Sequence, residues 1–157
     1  CRFLPHALMV QTKQEVLVKS DDPIAHNTHT NPLRNTAFNQ VIKAGDRTGV
    51  PLVYTRPERI PVKVVCDLHK WMNAYHLVLD HPFMAVTDEN GKFEITGLPA
   101  GKHSFYIWQE KTGYLDRKFT VEIKAGKATE ANLKFAPSKF ASFHGPQPTV
   151  VAIDTTR

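Results

Sequence analysis

The sequence predicts an all-β protein of short strands and turns, on three observations. Apolar and polar residues alternate in short runs, as in Arg59-Ile60-Pro61-Val62-Lys63-Val64-Val65-Cys66, the period of a strand with one buried face. Helical periodicity is hard to find, and 11 prolines punctuate the chain, which favours turns over helices. An apolar content of 41% over 157 residues is enough for a β-rich core, arranged as one compact domain or two small ones.

Taken in order, Ala7-Leu8-Met9-Val10, the polar turn Gln11-Thr12-Lys13-Gln14 and Glu15-Val16-Leu17-Val18-Lys19 read as strand, turn, strand. Ser20-Asp21-Asp22-Pro23 is turn-forming, so the two carboxylates are explained by turn chemistry and His26 follows a strand end and loop. Asn31 to Asn39, rich in Asn, Thr and Pro, reads as an irregular loop, with Val41-Ile42 beginning a short strand and Gly45 to Gly49 a turn. The run from Arg59 to Cys66 enters a tight loop, and Tyr75-His76-Leu77-Val78-Leu79 leaves it as the partner strand. Pro61 suggests an edge or a strand start.

A boundary is expected near Asp80-His81-Pro82, separating a first domain, 1–79, from a second, 80–136. There, Met84 to Thr87 and Lys92 to Ile95 flank Asp88-Glu89-Asn90-Gly91, where Asn90-Gly91 would supply the positive backbone angles of a hairpin. His103 to Trp108, Lys118 to Ile123 and Ala131 to Phe135 complete a regularly spaced strand set, the pattern of a small β-sandwich. Residues 137–157, with Pro137, Pro146 and Pro148, read as an irregular, extended tail or an arm packing on another chain.

The chemistry concentrates in Cys66-Asp67-Leu68-His69-Lys70-Trp71-Met72 and, forty positions earlier, His26-Asn27-Thr28-His29. A thiolate, two imidazoles and a thioether are a soft donor set. Trigonal Cys and His ligands with a weak axial Met suit copper. When Cys ends a strand and a short loop follows, the sulfur, the next imidazole and the thioether can converge, and the remaining imidazole comes from elsewhere in the fold. The candidate ligands are His26, Cys66, His69 and Met72, with His29 competing with His26 for the second imidazole place. Trp71 and Tyr75 could shield the ion or form an electron-entry surface, or simply pack. His6 could pair with Cys1 but lacks further donors, and His76, His81, His103 and His144 are taken as structural.

Residues 1 to about 79 resemble the cupredoxins, the blue copper electron carriers that include plastocyanin and amicyanin. The residues that match are His26, Asn27, Cys66, His69 and Met72, and the short ligand loop is most like that of amicyanin. The resemblance implies a Greek-key β-sandwich, bound copper, His69 exposed as the electron port, and Asn27 tying the His strand to the Cys loop from a second shell. His29 and Trp71 are read in that outer shell as well. The whole stretch is still more similar to cupredoxin-like proteins of the methylamine-utilisation or carboxypeptidase-regulatory-like type, through Pro5-His6, Phe38-Asn39, the loop with its Trp71, Asp80-His81-Pro82 and Asp88-Glu89-Asn90-Gly91. The second half resembles the prealbumin-like or carboxypeptidase-regulatory-like sandwich through Thr87, Asp88, Gly91, Phe93, Leu98, Pro99 and Gly101.

The function expected is single-electron transfer by a periplasmic or secreted copper protein that is not an enzyme and works with a redox partner protein. The rival is a metal-free extracellular scaffold, filament or adhesion module stapled by a disulfide between Cys1 and Cys66, because a pair of cysteines in an oxidising compartment commonly forms one. The abrupt opening at Cys1 suggests a processed piece, with an upstream segment or an additional chain completing the fold. A net charge of +5, from 20 Lys and Arg against 15 Asp and Glu, favours an acidic partner surface. Without a basic cluster it does not point to nucleic acid. No apolar run approaches the roughly 20 residues of a spanning helix, and no phosphate loop, nucleophile elbow or haem-attachment motif is present.

Overall fold

A computed structural model describes residues 1–140 and the backbone of residues 149–153. Among these residues there is no α-helix, and hence no helix long and apolar enough to cross a membrane; a single 3-10 turn occurs at Pro137–Phe140. Contacts divide the chain into Cys1–Pro82 and a second unit that starts at Phe83. Asp80 to Pro82 thus group with the first unit, as the bend that leaves its last strand.

Seven strands build the first unit: β1 (Ala7–Gln11), β2 (Glu15–Val18), β3 (His26–Thr30), β4 (Asn39–Ile42), β5 (Val50–Val53), β6 (Val62–Val65) and β7 (Asn73–Leu79). One sheet has the order β1-β7-β6-β3-β4, parallel only between β1 and β7; the other pairs β2 with β5, antiparallel. The first two strands therefore do not form a hairpin. At the turn between them, Thr12 N–H donates to the Leu79 carbonyl and Lys13 N–H to that of Tyr54, while Lys13 takes a φ of 68°. That turn carries the chain from one sheet to the other. Pro61 immediately precedes β6, where its missing N–H costs no ladder bond.

The two sheets pack through Val10, Leu52, Val62 and Val78, all 3% exposed or less, with Val16, Val18 and Phe38 against them. Each such side chain contributes about 1.5–3 kcal/mol by leaving water. Tyr54 is wholly buried in the same layer, and its hydroxyl lies 3.0 Å from Nδ1 of His76. Burial pushes the Tyr54 phenol up and the His76 imidazole down from 6.5 to about 4. Between those two pH values the unfolded chain binds a proton at His76 that the folded chain refuses. Stability is therefore expected to fall by roughly 3 kcal/mol as pH drops from about 6.5 to about 4, and to change little more from this source below that. Urea unfolding at the two ends of the window measures it, and His76→Gln should lack this component.

Glu58, 4% exposed, organises the loop between β3 and β4. Its carboxylate accepts from Leu33 N–H at 3.0 Å, Arg34 N–H at 2.8 Å and Asn35 Nδ2 at 2.7 Å. Its own N–H donates to the Val78 carbonyl. A segment that looks irregular in sequence is thus tied to the main sheet by one buried acid.

In the second unit β8 (Met84–Val86), β9 (Gly101–Gln109), β10 (Gly113–Ile123) and β11 (Thr149–Ile153) form one antiparallel sheet of order β10-β9-β11-β8. Two expectations are corrected here. Lys92 to Ile95 and Ala131 to Phe135 do not enter a ladder; they run beside the sheet and supply the apolar cover of Phe105, Ile107 and Leu115 through Phe93, Ile95, Leu133 and Phe135. Only Gly91, not Asn90, has positive φ, at 76°. The turn is held instead by the Asp88 carboxylate, which accepts from the N–H groups of Asn90 and Lys92. Part of the expected tail is also structured, since Thr149–Ile153 is an inner strand between β9 and β8. Its β-branched run satisfies strand propensity, which the preceding prolines masked. The rest of that stretch, His144 included, lies outside the described residues.

Candidate metal centre

Two strand ends of the main sheet build the centre. β3 starts at His26 and runs antiparallel to β6, whose register places His29 opposite Val65, so Cys66 emerges from β6 beside β3. The loop that follows is closed by its own backbone: Met72 N–H donates to the His69 carbonyl at 2.9 Å, and Cys66 N–H to the Met72 carbonyl at 3.3 Å. This closure brings the Cys66 sulfur and the His69 ring together.

Cys66 Sγ lies 3.8 Å from Nδ1 of His69, which lies 3.0 Å from Nδ1 of His26, and the donor atoms of the three residues are all within 4.8 Å of one another. Cys66 and His26 are buried, at 1% and 5% exposed, while His69 is half-buried. Met72 is buried at 4% and closes the loop through its backbone.

The far nitrogen of His26, Nε2, lies 2.7 Å from the Asp22 carboxylate. A carboxylate can only accept, so Nε2 carries the proton and Nδ1 presents a lone pair. Two imidazole nitrogens facing each other at 3.0 Å require a shared proton or a cation between them. A metal ion with bonds of about 2.0 Å to nitrogen and 2.3 Å to sulfur separates its donors by roughly 3 to 4 Å, and the 3.0 and 3.8 Å spacings are of that size. The residues therefore fit a thiolate-binding ion. Asp22→Asn, which can present an amide N–H to Nε2, is expected to weaken copper retention roughly 10- to 100-fold, checked by competition with a chelator of known affinity.

His29 does not join His26. Successive side chains of β3 point to opposite faces, and His29 Nδ1 sits 3.1 Å from the Asp67 carboxylate. Asn27, on the same face, clamps the ligand loop: its Oδ1 accepts from Asp67 N–H at 2.6 Å, and its Nδ2 donates to Asp67 at 2.7 Å and to Asn39 at 2.9 Å. Hydrogen bonds from His29 and then Asn27 hold the Asp67 carboxyl below its ordinary range. Trp71 is 68% exposed and meets the His69 ring edge-on, centroids 5.1 Å apart, so it flanks that ring rather than capping the ion.

Both cysteines are free thiols, Cys66 buried and Cys1 exposed, which goes against the rival reading of a disulfide-stapled scaffold. The His6 ring packs edge-on against Tyr75, and Cys1 lies beside Asp22 and His26. Asp22 and Asp67 are the site residues sequence reasoning missed. The signal for Asp67 is its place inside the ligand loop opposite Asn27, and for Asp22 its place one turn upstream of a candidate ligand.

Fold and site together define an all-β protein with a buried cysteine–histidine centre in its first unit. No family model and no curated protein matches the sequence. Among solved structures, a novel purple cupredoxin from Nitrosopumilus maritimus is similar at 22% identity and a TM-score of 0.40, over 47% of this chain and 78% of that one.

Proposed function

We propose that this protein binds copper at His26, Cys66 and His69, with Met72 as axial donor, and carries single electrons to or from a partner protein outside the cytoplasm. The observation that carries the reading is the convergence of a buried cysteine sulfur and two imidazole nitrogens, with the outer proton of one ring fixed by Asp22. When bound, copper supplies a one-electron couple with an intense thiolate-to-metal transition.

The chain's own residues keep the donors in one arrangement. Asn27 and the backbone closure of the loop hold Cys66 and His69 in place, and the β3–β6 pairing holds His26. Little has to move between oxidation states. His69 is the half-buried ligand, so its ring is the route to the surface, with Trp71 against its edge. Leu68 and Trp71, 61% and 68% exposed, offer an apolar patch on the ligand loop for docking. Titrating reduced, metal-free protein with Cu(II) is expected to give a strong visible band; a colourless titration would overturn the proposal.

A further inference from the structure

His26 faces two ways. Its inner nitrogen meets His69, and its outer nitrogen meets Asp22 at 2.7 Å. Beyond that outer nitrogen lies a second donor set: the Cys1 sulfur, an Asp22 carboxylate oxygen and a His26 ring nitrogen are all within 4.8 Å of one another. These residues line a cleft of about 1020 Å³ whose wall also carries Thr28. Thr28 is 2% exposed, and its buried Oγ1 has no hydrogen-bond partner among the described residues.

We infer that Cys1, Asp22 and the outer nitrogen of His26 form a second metal site, for a thiophilic divalent ion such as zinc, sharing the His26 ring with the buried centre. One thiolate, one carboxylate and one imidazole are zinc ligands, and three of them leave a fourth position open to the cleft. Sulfur and nitrogen donors select against magnesium and calcium, which take oxygen. The 4.8 Å limit exceeds the spacing of zinc ligands by roughly 1 Å, a closure that exposed Cys1 can make. On binding to the copper-loaded chain, the Cys1 thiol proton and the His26 Nε2 proton leave to solvent, and the His26 ring bridges the two ions as an imidazolate. The two charges of the ion replace those of the two protons, so the outer ion adds no net charge beside the inner one. With the inner centre empty, the His26 proton moves to Nδ1 and only the Cys1 proton is released.

Because the chain has two cysteines, Cys66→Ser isolates the outer site. Cobalt(II), a spectroscopic stand-in for zinc, added to the full-length Cys66→Ser chain is expected to give thiolate-to-cobalt absorption that saturates at one ion per chain. The double variant with Cys1→Ser should lack that absorption. Native mass spectrometry of copper-loaded parent chain should find one further zinc, lost in Cys1→Ser, whose copper band is retained. Absence of the cobalt absorption in Cys66→Ser, its survival in the double variant, or saturation at one ion per two chains through thiols of two molecules overturns the inference. Failure of the copper reading appears separately, as a colourless copper titration of the parent chain.

Discussion

Cys66→Ser is expected to fold as the parent does and to lose the intense thiolate-to-copper band of the buried centre. The substitution exchanges sulfur for oxygen at a position 1% exposed, with nearly the same volume, and His69 Nδ1, 3.8 Å from the parent sulfur, is beyond hydrogen-bond reach of the new hydroxyl. The fold should thus lose about 1–3 kcal/mol, measured by urea unfolding of the metal-free protein. The centre loses its only anionic ligand among His26, Cys66 and His69, and with it the sulfur orbital from which the visible transition originates. A serine hydroxyl keeps its proton at neutral pH and does not replace a thiolate. A visible copper band of parent strength in this variant would mean that another residue supplies the donor.

Glu58→Ala is expected to give the largest loss of stability, about 3 kcal/mol or more. Removing the carboxylate leaves Leu33 N–H, Arg34 N–H and Asn35 Nδ2 without the acceptor they share, and a hydrogen bond to a charged group contributes about 1.5–3 kcal/mol. Water entering the loosened loop relieves part of that, which is why the sum stays below three full penalties. Glu58→Gln keeps one carbonyl oxygen and should lose about half as much. The loop joins β3 to β4, so the damage reaches the sheet that carries His26. Urea midpoints of the three proteins test the order parent, Gln, Ala; an Ala variant as stable as the parent would remove Glu58 from its organising role.

The strands of the first unit were legible because each carries its own period, and the approach of Cys66 to His69 because the two stand three residues apart in one short loop. The partition of β1 and β2 between sheets was not, since it depends on Lys13 taking a positive φ and on carbonyls of Leu79 and Tyr54 far along the chain. Likewise, Asp22 looks like any turn-forming acid until β3 swings His26 back over it. Glu58 carries no local signal at all. In the second unit alternation misled at Lys92 to Ile95 and Ala131 to Phe135: an apolar side chain every other residue packs against a sheet equally well from an unpaired segment, and only the hydrogen-bond ladder tells the two apart. The late strand β11 was hidden for the opposite reason, by prolines that belong to its approach.

Its central position has a consequence for biosynthesis. β8 and β9 are made long before the strand that separates them, so on the ribosome their facing edges stay open until the final segment emerges. During that interval the nascent second unit displays two unsatisfied edges to its neighbours, the arrangement that recruits chaperones or other copies of the same polypeptide.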